Sequence, residues 1–288
     1  MNILISGGTG FIGSYISEAL ANAGHRAWVL SRNTTQNGSI TLEELPLISY
    51  EHGIETFIHS AVAYGRKSQK ICDVLECNIL YPIKVIESMT GIEMNCPKFV
   101  INIDSFFNKH GLCDYMLWYS LSKAWGKSAL ETYCQDSGIS FINLMFEQVY
   151  GPRDSLQKFT AYVLNSLKNN VDYLDLSDGM QRRDFVYVTD VASAVLHVVS
   201  NIKDSVYEKA GTIEVGSGNA ISLRMFVELA KQLSGSRTEL RFGARKMAQG
   251  ELMESFADIR FLSSIGWNPK VNLVDGIKNV FEIGCFKE

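Results

Sequence analysis

The residues after Met1, Asn-Ile-Leu-Ile-Ser6, open on an apolar run suited to a strand covered on both faces. From Ser14 to Ala23 the period changes, and Ile16, Ala19, Leu20 and Ala23 recur at helical spacing. The exchange of periods continues to about residue 150. It predicts strands at 2–6, 26–31, 55–60, 98–103 and 140–145, and helices at 13–24, 70–89 and 119–136. Such alternation implies an α/β fold with a doubly wound parallel sheet and ligands at the carboxyl ends of its strands. Between Asn33 and Ile54 the pattern is ambiguous. Thr34 to Ser39 reads as a loop, Leu42 to Leu45 fits a helical turn, and no third strand can be placed. After Gly151-Pro152 the elements shorten, with turn signals at Asp178-Gly179 and Gly216 to Asn219, before a last amphipathic helix from Leu273 to Ile283. Two parts are expected: a domain over 1–150, to which 186–203 returns, and a smaller C-terminal α/β lobe over 151–288.

The junction between the first strand and helix carries Gly7-Gly8-Thr9-Gly10-Phe11-Ile12-Gly13. Strand, glycine turn and helix in this order form a dinucleotide site. Side chains on the glycines would keep the backbone from the pyrophosphate, and the helix N-terminus offers N–H groups and a positive dipole end. The first domain is therefore expected to be a Rossmann-type cofactor domain, with Gly7, Thr9, Gly10, Phe11, Ile12 and Gly13 at the nicotinamide dinucleotide. About 20 residues on, an NAD site places an acid on the ribose 2′-hydroxyl, whereas an arginine suits the 2′-phosphate of NADP. No Asp or Glu stands between Ala19 and Asn33, and the second strand ends at Ser31-Arg32. The arginine fork can give a phosphate two parallel charge-assisted bonds. NADP is thus expected ahead of NAD, with an ordinary solvated arginine as the alternative.

Composition narrows the class. The 288 residues are 46% hydrophobic with a formal charge of −4, which suits an enzyme and gives no reason to expect nucleic acid or a membrane surface as partner. The first residues already read as a core strand, leaving no room for a signal peptide, and no apolar run approaches the ~20 residues of a membrane span. Cysteines 72, 77, 96, 113, 134 and 285 are scattered without C-x-x-C pairs. No metal and no disulfide framework are expected, and a reducing cytoplasm is.

Tyr119 and Lys123 stand four apart, on one face of a predicted helix, just after a strand ending in Asp104-Ser105. Reduction of a carbonyl needs a proton donor to the oxygen as hydride reaches the carbon. A tyrosine titrates near ~10, so a nearby ammonium has to stabilise its anion. Lys123 is expected to do this and to bond the nicotinamide ribose, while Ser105 orients the substrate oxygen. The alternative is plain packing of Tyr119 beside Trp118 with a solvated Lys123.

These features together resemble the extended short-chain dehydrogenase/reductase (NAD-dependent epimerase/dehydratase) family over essentially the whole chain. Phe57-Ile-His-Ser60-Ala61, with Ala63, is similar to the strand that passes the cofactor, and Asn78 matches the asparagine of the following helix. Val149-Tyr-Gly-Pro152, the Arg183 to Asp190 stretch and Ile265 to Pro269 match further motifs of the family, Arg183 being the residue that meets the nucleotide diphosphate. Ala63 to Arg66, Asn78 to Pro82, Asn102 to Phe107, Glu147 to Gly151, Lys158 to Thr160, Glu214 to Gly218 and Gly250 to Met253 look like the branch of CDP-paratose and CDP-abequose synthases. The resemblance implies a substrate site at Tyr64, Asp104, Ser105, Glu147, Gln148, Lys158, Phe159, Arg183, Arg245 and Glu251. It also implies a homodimer paired through a four-helix bundle of the 70–89 and 119–136 helices. There are departures. Phe106-Phe107-Asn108 replaces the usual Val-Tyr-Gly, Met145 replaces a common arginine, and Ala248 stands where a second diphosphate arginine belongs, leaving Arg245 or Lys246 to substitute.

A 4,6-dehydratase of this family pairs Asp with Glu after the fifth strand; here Asp104-Ser105 has no adjacent glutamate. The expected reaction is NADPH-dependent reduction of the 4-keto group of a nucleotide-activated 4-keto-6-deoxysugar, CDP-linked, for surface polysaccharide or O-antigen sugars. Two alternatives stay open: a nucleotide-sugar 4-epimerase with tightly held NAD, and a non-catalytic NADP-sensing regulator.

Overall fold

A computed structural model describes residues 1–31, 38–66, 69–90, 96–109, 116–284 and 286–287. In its first half lie strands β1 (Asn2–Ser6), β2 (Arg26–Leu30), β3 (Ser39–Ile40), β4 (Thr56–His59), β5 (Phe99–Ser105) and β6 (Ser140–Phe146). They alternate with helices α1 (Phe11–Asn22), α2 (Leu45–His52), α3 (Ile71–Leu75), α4 (Tyr81–Thr90) and α5 (Leu117–Asp136). Next come β7 (Gln148–Tyr150), α6 (Phe159–Lys168), β8 (Tyr173–Leu176), β9 (Arg182–Tyr187), α7 (Val188–Ser200), α8 (Val206–Lys209) and β10 (Thr212–Val215). The chain continues through β11 (Ala220–Ser222), α9 (Leu223–Ser234), β12 (Glu239–Phe242), β13 (Glu254–Ser255), α10 (Arg260–Ser264) and α11 (Leu273–Ile283).

Seven strands form one sheet in the order β10-β6-β5-β4-β1-β2-β3. Read from β3 the order is 3-2-1-4-5-6, the doubly wound Rossmann arrangement expected from the alternation. Strands β3, β2, β1, β4 and β5 pair in parallel, with Ile5 opposite Val29 and Ile58. Ile3, Leu4 and Ile5 are fully buried, which is why this strand is an unbroken apolar run rather than an alternating one. Against the sheet pack Leu45, Val85, Ile86, Met89, Leu130 and Cys134 from α2, α4 and α5.

Two details differ from the expected elements. A two-residue strand, β3, does exist in the ambiguous stretch: Ser31 N–H bonds the Ile40 carbonyl at 2.9 Å, so a tertiary contact rather than local pattern makes it. The helix expected at 70–89 is interrupted by a π-turn over Glu76–Leu80. Asn78, at its centre, is only 3% exposed. Single π-turns inside helices often sit at functional positions.

The chain divides into two compact units, residues 1–145 with 192–213, and residues 146–191 with 214–288. In the second, β9 pairs with β7, β13 and, antiparallel, β11, while β8 and β12 form a separate parallel pair. Its core gathers Tyr150, Leu164, Phe185, Phe226, Ile277 and Val280. Among the described residues no helix is long and apolar enough to cross a membrane.

Candidate active site

The glycine turn has the shape of a dinucleotide cradle. Gly7 has φ +71°, and a methyl there would stand 2.6 Å from the Ala61 nitrogen; one at Gly13 would collide with the Gly7 carbonyl. Only bare backbone fits at both points. Gly10 caps α1 without a side-chain bond, and the first turn holds no acid to compete with a phosphate. Phe11, Ile12 and Gly13 form that turn. Ser60 N–H bonds the Ser6 carbonyl at 3.1 Å, which sets Ser60 and Ala61 beside the glycines. Thr9 lies within the turn, and Ser31 directly follows β2. Arg32 lies outside the described residues. The residues present thus fit a dinucleotide pyrophosphate.

On α5 the buried positions Tyr119, Ser122, Lys123, Gly126, Leu130 and Cys134 make one helical stripe, so the spacing of the tyrosine and lysine is set by the face that packs. The end of β5 meets it. The Ser105 hydroxyl hydrogen-bonds the Tyr119 phenol. Lys123 Nζ donates to the Ile103 carbonyl at 2.5 Å. Burial first, then Tyr64 and Asp104, push the Tyr119 phenol well above its ordinary range, while Ser105 and Arg66 pull it down. Burial lowers Lys123, and Asp104 and Cys77 oppose that shift. Lys123 stands one turn along α5 from Tyr119, and its bond to the main-chain carbonyl fixes the ammonium in place.

Asp104 is 3% exposed and is held by the protein itself. Its Oδ1 accepts from Ser105 N–H at 2.8 Å and Asn108 Nδ2 at 3.0 Å, and its Oδ2 from Asn143 Nδ2 at 3.2 Å. Asn143 also donates to Thr212 Oγ1 at 3.1 Å and accepts from Asn102 at 2.7 Å. The loop after β4 adds Tyr64, stacked on Tyr119 at 5.1 Å. Asn78 bonds both main-chain groups of Ala63 at 2.8 Å and donates to Ser122 Oγ at 2.8 Å. The amino-terminal unit therefore brings together Tyr64, Asp104, Ser105, Tyr119 and Lys123, with Ala63 and Asn78 beside them.

In the second unit Arg183 is the second residue of β9, its side chain 6% exposed. It donates to the carbonyls of Arg182 at 2.8 Å and Leu252 at 2.5 Å, with Glu251 Oε1 at 3.7 Å. Lys158, the residue before α6, pairs with Asp154 at 2.9 Å, and Phe159 begins that helix. Glu147 is buried and accepts from Ser255 Oγ at 2.8 Å, and Gln148 pairs with Phe185 across β7 and β9. Arg245 is exposed and tied through its N–H to the Leu176 carbonyl at 3.0 Å, with the β8–β12 pair rather than the β9 sheet. Arg183 and Glu251 meet, and Arg245 lies beside the β8–β12 pair.

Sequence reasoning named Arg66, Asn102, Asn108 and Asp184 only within motif stretches, with no role of their own, and passed over Asn143. The signal for Asn143 was present: a polar residue inside the apolar strand Phe141-Ile-Asn-Leu-Met-Phe146 is buried at a cost unless bonded. Asp184 is fully buried and accepts from Ser217, Gly218 and Ala257 N–H at 2.8, 2.9 and 3.1 Å, so it fixes the loop after β10 rather than a ligand.

The profile of the NAD dependent epimerase/dehydratase family matches residues 3–216, and the chain belongs to that family. It is 32% identical to the CDP-abequose synthase of Salmonella muenchen over 98% of this chain and 97% of that protein. Among solved structures it is similar to the UDP-glucose 4-epimerase of Thermotoga maritima with UDP-glucose, at TM-score 0.81 and 22% identity over 98% of both chains. The UDP-glucose 4-epimerase of Thermus thermophilus in complex with NAD superposes at TM-score 0.77 and 23% identity, over 98% of both chains.

Proposed function

We propose that this protein reduces the 4-keto group of a CDP-linked 4-keto-6-deoxysugar with NADPH. The observation that carries the reading is the fixing of Asp104. Its two oxygens accept from Ser105, Asn108 and Asn143, so the carboxylate is held at the end of β5 beside the Ser105 hydroxyl and the Tyr119 phenol, and no glutamate adjoins it to remove a sugar proton. Tyr119 gives its proton to the C4 oxygen, Ser105 holds that oxygen, and Lys123 bonds the nicotinamide ribose. A reduced nicotinamide supplies hydride chemistry when bound at Gly7 to Gly13, Ser31, Arg32, Ser60, Ala61, Ala63 and Asn78. The likeness to CDP-abequose synthase over nearly the full chain supports the substrate class, and with it a role in surface polysaccharide or O-antigen sugars.

Residues 1–150, with 186–203, serve the cofactor, and 151–288 mainly serve the nucleotide sugar. Tyr64, Asp104, Glu147, Gln148, Lys158, Phe159, Arg183, Arg245 and Glu251 are proposed to line or support the sugar nucleotide. NADP over NAD rests on Arg32 and the absence of an acid near it. Exposed Ile71, Leu80, Leu117, Trp118 and Trp125 on the α3–α4 and α5 helices support pairing of two copies into a four-helix bundle. A cytoplasmic location follows from scattered cysteines without a disulfide pattern.

One experiment tests the reading. CDP-4-keto-6-deoxyglucose is incubated with NADPH or NADH carrying deuterium on the transferred position, and the product is analysed by mass spectrometry and NMR. Deuterium at C4 of the product, faster from NADPH than NADH, is the expected result. An epimerised sugar with label retained in the cofactor means the 4-epimerase reading, which the fold likeness to UDP-glucose 4-epimerases favours. Tight NADPH binding with no turnover of any 4-ketosugar means a sensing protein.

A further inference from the structure

Ser105 and Tyr119 belong to different elements, the end of β5 and the buried face of α5, so the distance between hydroxyl and phenol depends on what ties those elements together. After Ser105 comes a single 3-10 turn, Phe106–Asn108, with Ser105 as its cap. The Phe107 N–H donates to Ser105 Oγ at 3.4 Å, which engages one lone pair and leaves the hydroxyl's own proton for the phenol or the substrate oxygen. The Phe107 ring meets the Tyr119 ring edge-on, centroids 5.9 Å apart at 87°. The turn thus touches both groups, one by its main chain and one by a ring.

Asn108, the last residue of the turn, joins it to both sides. Its Nδ2 donates to Asp104 Oδ1 at 3.0 Å, the same oxygen that accepts from the Ser105 N–H at 2.8 Å. Its Oδ1 accepts from Ser120 Oγ at 3.2 Å, and that hydroxyl also lies 3.3 Å from the Phe107 carbonyl. Ser120 is fully buried and directly follows Tyr119 on α5. Asp104 is anchored in turn to β6, its Oδ2 accepting from Asn143 Nδ2 at 3.2 Å. One amide therefore closes a path of hydrogen bonds from the sheet, through the turn, to the helix. Buried polar groups joined in this way hold one geometry, since breaking a link leaves an unmet donor or acceptor. The glycine of Val-Tyr-Gly, which Asn108 replaces, has no side chain to make either bond.

We propose that Asn108 is a positioning residue, which holds the Ser105 hydroxyl and the Tyr119 phenol in register by bridging Asp104 and Ser120. The proposal rests on the reading of Tyr119 as proton donor and Ser105 as the group that orients the substrate oxygen. Reaction needs both atoms placed at once, and misplacement by about 1 Å can cost ~100-fold in rate. A loosened turn removes an alignment that matters in the transition state, so the loss falls on kcat and not on KM.

The test is a double-mutant cycle between Asn108→Ala and Ser105→Ala, read in turnover of the 4-ketosugar. Asn108→Ala is expected to lower kcat about 3- to 10-fold, with KM little changed. In the Ser105→Ala background the same change is expected to cost less than about 2-fold, because the group it positions is gone. Ser120→Ala cuts the bridge at its helix end and is expected to give the same pattern, which keeps the test decisive if Asn108→Ala does not fold. Asn108→Asp keeps an acceptor for Ser120 but sets a second carboxylate against Asp104, and it is expected to lower kcat at least as far. Independently of turnover, a fluorinated tyrosine is placed at position 119 and its fluorine NMR resonance recorded. The resonance is expected to move in Asn108→Ala and Ser120→Ala, in the direction that it moves in Ser105→Ala. Losses that multiply in the double variant, a change in KM alone, or an unmoved resonance overturn the proposal. If the unmodified protein turns over no ketosugar, the functional reading fails, while the fluorine resonance still decides whether Asn108 holds Ser105 against Tyr119.

Discussion

The two units treat charge in opposite ways. Around Tyr119 the polar groups are held by neutral donors, main-chain carbonyls and rings: Asp104 by two asparagines and an N–H, Lys123 by Ile103, Tyr119 by Ser105 and Tyr64. In the second unit two of the cations named for the substrate lie beside carboxylates, Lys158 by Asp154 at 2.9 Å and Arg183, the residue expected at the diphosphate, by Glu251 at 3.7 Å. Proton transfer needs atoms fixed before the substrate arrives, because misplacement by about 1 Å can cost ~100-fold in rate. An anion site can instead exchange one partner for another, carboxylate for diphosphate. The contrast teaches where substitutions should register: in kcat for the first unit, in KM for the second.

The largest effect should follow from Tyr119→Phe, which keeps the ring on Tyr64 and removes the proton. Turnover is expected to fall by roughly 10²–10⁴-fold, the usual worth of a positioned general acid, with the thermal transition unchanged. Full activity in that variant would break the comparison at its centre. Arg183→Ala should raise the KM for the nucleotide sugar by about 10- to 100-fold, since charge-assisted bonds contribute about 1.5–3 kcal/mol. Its kcat and NADPH affinity, measured by titration, should stay close to the unmodified values. If the substitution lowers kcat or unfolds the second unit, Arg183 is a strut for the Leu252 carbonyl and not an anchor. Ser105→Ala should cost less, about 3- to 10-fold in kcat, because an orienting bond is lost and the proton remains.

How much of this was legible depended on whether local pattern or distant contact decided each feature. The parallel sheet and the glycine cradle were legible because apolar runs, helical periods and close-approach glycines are written in consecutive residues. The family resemblance, carried by those motifs and by Arg183 to Asp190, is borne out over residues 3–216. Tyr119 and Lys123 were legible because four residues on a packed helix share a face. The π-turn was not, because it is centred on Asn78, whose side chain reaches Ala63 and Ser122, residues 15 and 44 positions away. Strand β3 depends likewise on pairing with β2 and on the bond from Ser31, residues well before it in the chain. The partners of Asp104 come from another strand and from the turn after its own, so a carboxylate fixed in place read the same as one free to meet substrate.

The smallest expected effect concerns stability, and it belongs to the amino-terminal unit. His59, at the end of β4, is 1% exposed, and its Nδ1 meets the Ser6 hydroxyl at 2.8 Å while Nε2 has no hydrogen-bond partner among the described residues. Burial, with the positive charge of Lys123 second, pushes its pKa down to about 3 from the ordinary 6.5. The folded protein therefore keeps this imidazole neutral at pH values where the unfolded chain protonates it. Above pH 6.5 both states are neutral and the group adds no pH dependence. Between 6.5 and about 3 the unfolded state holds the extra proton, so stability falls as the pH falls. The slope from this one group is about 1.4 kcal/mol per pH unit at most. Urea unfolding at pH 7.5, 6 and 5 should show the decline in the unmodified protein and a flatter line in His59→Gln, whose amide carries no titrating proton. Parallel lines for the two proteins would mean that His59 is protonated in the folded state, and that the interior beside Lys123 tolerates a second positive charge.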